Sequence, residues 1–295
     1  TNSSSDFVIT QAVQDKDIIF KGDDGGSAIE AARFDMSVGG FLGLGTTSPT
    51  SRIEISGDTF TKSTIRLERT NNGENNDAGL QFKSAAGANS GYGMGGIWFK
   101  NSLDDNAYAL IRARTDDSSG TSGRLDFITS TDAVSNTTAA CMTIDSSGHI
   151  TKPKQSAFLV TKSSAQTDTD INQNVIITFD TERFDQNGDF ASNTFTAPVT
   201  GRYQLNTIVY TSDAPNDLAY FTIRLITSNR EYYSIFDPGQ AGLSGANSYH
   251  TLNINVLADM DANDTAYVNF YTPTGTAQTN IEGSHVTSFS GFLAC

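Results

Sequence analysis

Two pairs of adjacent acids, Asp104-Asp105 and Asp116-Asp117, are the residues whose type and spacing come nearest to a hydrolytic site. Glycoside cleavage needs two carboxyl groups facing each other across a sugar bond, one to protonate the leaving oxygen and one to attack or to activate water. Neighbouring residues on a strand point to opposite faces, and in a loop they face water, so neither pair meets that demand alone. The three histidines are His149 in a turn and His250 and His285 within or beside strands, and no Ser/His/Asp or Cys/His constellation forms from local motifs. The patterns G-x-x-x-x-G-K-S/T, Cys-x-x-Cys and His-Glu-x-x-His are absent, so nucleotide, redox and zinc chemistry have no anchor. The expectation is a protein with no catalytic residues and no required cofactor.

Binding has better candidates. Four polar stretches between apolar runs, 212–217, 228–233, 236–240 and 272–276, read as loops at the ends of a sandwich, where rigid sheets hold freely varying contact surfaces. Tyr232, Tyr233 and Phe236 offer flat faces for sugar stacking, and Asn229, Arg230, Asp237 and Gln240 offer directional hydrogen bonds. The competing reading is that Tyr232 and Phe236 pack inward. Trp98, the one tryptophan, is another candidate stacking platform, but its setting in Ile97-Trp98-Phe99 favours an aromatic in a strand core. Asp23-Asp24 among glycines lacks the ligand spacing and closing Glu of a calcium loop, and reads as a solvated turn.

Composition excludes several classes. The formal charge of −14 argues against a protein that tracks nucleic-acid phosphates with clustered Lys and Arg. No run of about eighteen apolar residues exists to span a bilayer as a helix. Thr, Ser, Asn, Asp and Gly fill the gaps between short apolar runs, the texture of an all-β protein with many turns. Cys141 and Cys295 fall in segments assigned to different domains and are expected to be free thiols. Asn2, Asn136 and Asn263 satisfy the N-x-S/T pattern, which arises by chance in so Asn- and Thr-rich a chain.

The elements that must position these residues centre on Phe190–Tyr210. Phe195, Ala197 and Val199 alternate with polar residues, as do Tyr203, Leu205 and Thr207, giving two strands with one buried face. Pro198 and Gly201 suit the tight corner between them. Upstream, Ile18–Phe20 and Phe34–Met36 flank a Gly/Asp turn and form a hairpin. The segments 34–42 and 142–150 share a template of apolar alternation, a Gly-bearing turn and a closing apolar residue. Short strands over 65–67, 79–82, 96–99, 109–113 and 124–128 predict a sandwich or prism. Beyond the polar junction 151–155 the strands lengthen and gain aromatics, enough for two facing sheets of a jelly roll. Three segments follow: 1–55, an N-terminal hairpin shaft; 56–152, a β-rich middle domain; and 153–295, a head.

Two resemblances sharpen this. The segments 17–27, 43–55 and 142–150, most of all the G-x-G-T-T-S-P-x-x-R pattern from Gly43, resemble recurrent pieces of bacteriophage tail-fibre and other virion appendage proteins, which build elongated homotrimers. Ala157-Phe158 opening the head, the Phe195-x-x-Pro198-x-x-Gly201-x-Tyr203 corner, the Tyr267–Tyr271 strand and the closing Ser288–Leu293 resemble the complement C1q and tumour-necrosis-factor superfamily. That likeness implies a ten-stranded jelly roll, trimerisation through aromatic-rich faces and a central last strand; the collagen stalk is absent and a β-rich shaft stands in its place. It also makes Asp213 and Asp217 candidate calcium ligands at a trimer apex. Together they imply a homotrimeric receptor-binding protein of a virion, joined to other tail proteins. It would attach to a host-surface glycan or protein and insert in no membrane. The alternatives are an extracellular C1q-like lectin or adhesin and, behind it, a polysaccharide depolymerase.

Overall fold

The computed structural model describes residues 2–3, 6–57, 65, 67, 80–82, 93–101, 106–135, 137–214, 218–238, 248–275 and 278–295. Those residues contain strands, turns and one 3-10 turn, and no α-helix. The chain falls into two compact units, Thr1–Gln81 and Phe82–Cys295.

In the first unit β1 (Asn2–Ser3) pairs with β2 (Asp6–Phe7), and β3 (Ile18–Asp24), β4 (Ser27–Asp35), β5 (Phe41–Leu44) and β6 (Ile53–Ile55) form a four-stranded sheet. The β3–β4 hairpin turns at Gly25-Gly26, and Asp23 accepts a hydrogen bond from the Gly26 amide at 2.7 Å. That carboxylate organises its own turn, as the solvated-turn reading expects. Gly45, inside the tail-fibre-like pattern, has φ +74°, and a Cβ there would sit 2.2 Å from the Ser56 carbonyl oxygen. Any side chain would strain the backbone and collide with the returning chain, which accounts for glycine at this place. The two template segments fold differently. Residues 36–38 form a 3-10 turn before β5, whereas 145–148 make a tight turn closed by the Gly148 amide on the Asp145 carbonyl.

The second unit begins with an antiparallel sheet ordered β11-β10-β9-β8-β7, from β7 (Gly93–Lys100), β8 (Ala107–Thr115), β9 (Gly123–Thr129), β10 (Met142–Ile144) and β11 (Ile150–Thr151). The strands expected at 65–67 and 79–82 are not found: the described residues there, 65, 67 and 80–82, belong to no strand, and 66 and 79 lie outside the described residues. One face holds a small core of Ala107, Leu110, Ile128 and Val134 and a buried ion pair, Arg112 to Asp126 at 2.9 Å. The other face is apolar and half open: Ile97, Phe99, Ile111 and Leu125 stand on it, with Ile97 and Phe99 47% and 54% exposed. Trp98 sits on edge strand β7 opposite Leu110 and is 42% exposed, so it is not an enclosed core aromatic.

The rest of the unit is a jelly roll. Its strands are β12 (Ala157–Thr161), β13 (Val175–Ile176), β14 (Thr181–Asp185), β15 (Phe190–Ala191), β16 (Thr194–Thr196), β17 (Gly201–Ala214), β18 (Phe221–Thr227), β19 (Glu231–Phe236), β20 (Ser248–Met260), β21 (Thr265–Tyr271), β22 (Asn280–Ile281) and β23 (Ser288–Leu293). One sheet runs β14-β12-β23-β17-β20 with β22 beside β17; the other runs β15-β16-β21-β18-β19 with β13 beside β21. The last strand is central, paired to β12 on one side and β17 on the other. Alternation puts Tyr203, Leu205 and Val209 of one sheet against Phe221, Ile223, Leu225, Val268 and Phe270 of the other, all fully buried. Phe158 stacks on Phe195 at 4.8 Å and meets Phe289 edge-on at 5.0 Å, so the ends of the domain are tied through rings.

At the corner, Phe195 and Ala197 are buried as expected, but Val199 is 47% exposed. Pro198 ends the strand pattern there because it has no amide to give a ladder. The Tyr203 hydroxyl then donates to the Val199 carbonyl at 2.7 Å and pins the turn from inside.

Candidate functional site

The β18–β19 hairpin carries most of the predicted binding residues, and the period of the strand separates them. At its turn, the Asn229 amide donates to the Asp259 carbonyl at 3.0 Å and to Asp264 Oδ2 at 2.9 Å. Arg230 makes a two-pronged contact with Asp259, Nε to Oδ1 at 3.1 Å and Nη2 to Oδ2 at 3.0 Å. That guanidinium holds the Asp259 carboxyl below the ordinary carboxylate range. Both partners are more than half exposed, so the pair adds little stability and leaves the charges open to a competing ligand. Beside them a cleft of about 200 Å³ is lined by Thr200, Arg202, Asn229, Asp259, Met260 and Asp261.

Along β19 the side chains alternate. Tyr232 and Phe236 face the core, where Phe236 lies 5.3 Å from Phe221 and 4.5 Å from His250 between ring centroids. Tyr233 faces outward, opposite Arg224, and is 52% exposed. Asp237 follows at the far end of the strand, and Gln240 lies outside the described residues. At about 3.3 Å per residue, Arg230 and Asp237 stand on the order of 20 Å apart, too far for one small ligand to touch both. The structure thus groups Asn229 with Arg230 and sets Tyr233 apart from its two aromatic neighbours.

The acidic candidates have local duties. The Asp213 carboxylate accepts from the Asn280 amide at 2.7 Å, and its backbone takes a left-handed φ of 55°; Asp217 lies outside the described residues. Among the described residues no group of three or more His, Cys, Asp or Glu is placed to hold a metal ion. Asp116 accepts from the amide and hydroxyl of Ser146, and Asp117 accepts from Ser119 and Thr121, whose hydrogen bonds hold its pKa well below the usual range. Asp104 and Asp105 lie outside the described residues. His149 leans on Asp145 at 3.0 Å, and His285 on the Thr161 hydroxyl at 3.1 Å.

Sequence reasoning passed over the buried charges. Lys162 is 3% exposed and donates to the carbonyl and hydroxyl of Thr178, and burial pushes its pKa down. Arg112 and Asp126 meet only because β8 and β9 pair in register. The one signal was that Arg112 and Asp126 stand seven residues either side of Ser119, which pairs them across a hairpin centred there.

Residues 157–294, just under half of the chain, match the C1q domain family, and the jelly roll described above is the fold they take. Among solved structures, the globular domain of zebrafish complement 1qA protein is 17% identical with TM-score 0.35, covering 48% of this chain and 98% of its own. Murine APRIL is 12% identical with TM-score 0.34, covering 48% and 99%. No curated protein matches the chain.

Proposed function

We propose that this chain is a non-catalytic receptor-binding protein that works as a homotrimer, its head engaging a cell-surface glycan or protein. Residues 1–55 and 56–152 would then be shaft and 153–295 head, in a tail fibre or tail tip of a virion. The observation that carries the self-association is the solvent face of the β14-β12-β23-β17-β20 sheet. Ile208, Leu257 and Phe292 are 45%, 52% and 47% exposed on it, although the domain's own core is complete behind them. Their outward neighbours on β17, β20 and β23 between these positions are Gln204, Asn206, Asn253, Asn255, Ser288 and Ser290, with no charge. A face whose central rungs carry no charge, with Arg202 and Asp259 only at its end, stabilises an assembly when buried, by roughly 25 cal/mol per Å² of apolar area. The open apolar face around Ile97 and Phe99 supports the same reading for the shaft.

The virion assignment rests on the likeness of 17–27, 43–55 and 142–150 to tail-fibre segments. The second reading, an extracellular C1q-like lectin or adhesin, is favoured by the C1q match over 157–294. In either setting the loop residues Asn229, Arg230 and Asp237 are the contacts proposed for the receptor, with Tyr233 on the outer face of β19 beside them. Three copies on one rigid body raise avidity without new contacts. Fluorescently labelled protein, with and without a calcium chelator, is the test. Labelling of host cells together with competition against virion attachment is the expected result; labelling without competition supports the adhesin; no labelling of any cell overturns both. Release of reducing sugar from host capsule would overturn the non-catalytic assignment.

A further inference from the structure

The outer face of the β15-β16-β21-β18-β19 sheet carries a cluster that neither the core nor the loops account for. Arg224 projects outward from β18, with Tyr233 of β19 and Asn269 of β21 directly opposite it on either side. Its guanidinium carbon lies 5.3 Å from the Tyr233 ring centre and 4.6 Å from that of Tyr271, and Nη1 donates to Asn174 Oδ1 at 2.9 Å. Tyr271 donates its hydroxyl to Asn172 at 3.1 Å, and Tyr233 donates to Glu231. Ile235 on β19 and Ile176 on β13 stand on the same face at 63% and 49% exposure.

The hydrogen bonding of this cluster is incomplete. Asn269 is 4% exposed and its Oδ1 finds no partner among the described residues, and Arg224 Nε is likewise buried and unsatisfied. Buried polar groups are nearly always paired, because an orphan loses its water without gaining a partner. Here an orphan acceptor and an orphan donor sit at opposed positions on adjacent strands, beneath a rim of exposed tyrosine and isoleucine.

We propose that this ledge binds a saccharide. A pyranose ring has one C–H face that packs on an aromatic or aliphatic surface and a ring of hydroxyls that both donate and accept. Tyr233, Ile235 and Ile176 supply the first surface. Arg224, Asn174 and Glu231 supply donors and acceptors beside it, with the Asn269 amide buried beneath. A protein partner fits less well, because a stable interface needs about 800 Å² per side with a desolvated apolar centre, and this face offers three exposed apolar side chains ringed by polar ones. The inference deepens the receptor-binding reading: it names the ligand class and moves the contact from the loops to the sheet.

The full chain on a printed array of neutral hexose, N-acetylhexosamine and uronate- or sialate-terminated oligosaccharides is the first test, followed by calorimetric titration of the strongest oligosaccharide. Tyr233→Ala is expected to weaken binding at least tenfold and Tyr233→Phe to keep most of it, with unchanged melting temperatures. A preference for the carboxylate-bearing arm that Arg224→Gln removes would assign the guanidinium to the acid. Binding to no oligosaccharide, or equal binding by Tyr233→Ala, overturns the proposal. Cell labelling by the wild type that Tyr233→Ala leaves intact overturns the ledge while the receptor-binding reading stands. Saccharide binding lost in Tyr233→Ala, with no cell labelled, does the reverse.

Discussion

Gly291 shows how little freedom the centre of the head has. A Cβ there would lie 2.6 Å from Leu205 Cδ2 and 2.8 Å from Phe158 Cε1, both fully buried, with the Gln204 carbonyl oxygen at 3.2 Å. Gly291→Ala is expected to destabilise the head by roughly 1–3 kcal/mol, read as a lower urea midpoint. His250 sets a pH dependence. Its ring packs between Phe221 and Phe236, its Nε2 has no partner among the described residues, and burial holds its pKa below the ordinary 6.5. The unfolded chain therefore takes up this proton at higher pH than the folded head. The stability gained from a neutral imidazole is complete above pH 6.5 and is lost as pH falls toward the lowered folded value. Melting temperature should drop on acidification through that window, and His250→Phe should flatten that part of the profile. Carboxylates such as Asp180, held well below their usual range by the amides of Ser163 and Ser164, titrate later and remain in both proteins.

At the scale of elements, β23 is the keystone, since it joins β12 to β17 and brings Phe289 into the aromatic cluster. Removing residues 288–295 should abolish the cooperative thermal transition of the head; a variant that keeps it would show that β12 and β17 pair without the strand. The central place of this strand was legible only through the S-x-F-S-G-F-L likeness, because period two tells which face a residue takes and not which strand lies beside it. The same period, applied strictly to β19, separates Tyr232 and Phe236 from Tyr233. The sequence alone left that choice open because the run Glu231–Phe236 fits either face inward. The Arg224 ledge was illegible for a related reason: its members come from β13, β18, β19 and β21, and register across a sheet has no local signal. Val199 was misread because a proline one residue earlier ends the strand before alternation reaches it.

At the scale of the molecule, the chain completes one core in the jelly roll and leaves exposed apolar side chains on two sheet faces, Ile208, Leu257 and Phe292 there and Ile97 and Phe99 on the β7–β11 sheet. The proposed self-association would cover both, and Leu257→Asp, which puts a charge where a partner copy would desolvate it, should dissociate the assembly. The far-ultraviolet spectrum of the variant should stay that of a folded β protein, since Leu257 points away from the core. Sedimentation equilibrium of the purified chain tests the account most directly. A mass three times that of the 31.5 kDa chain, falling toward one chain in Leu257→Asp, is the result the account predicts. A single-chain mass for the wild type at micromolar concentration would contradict it.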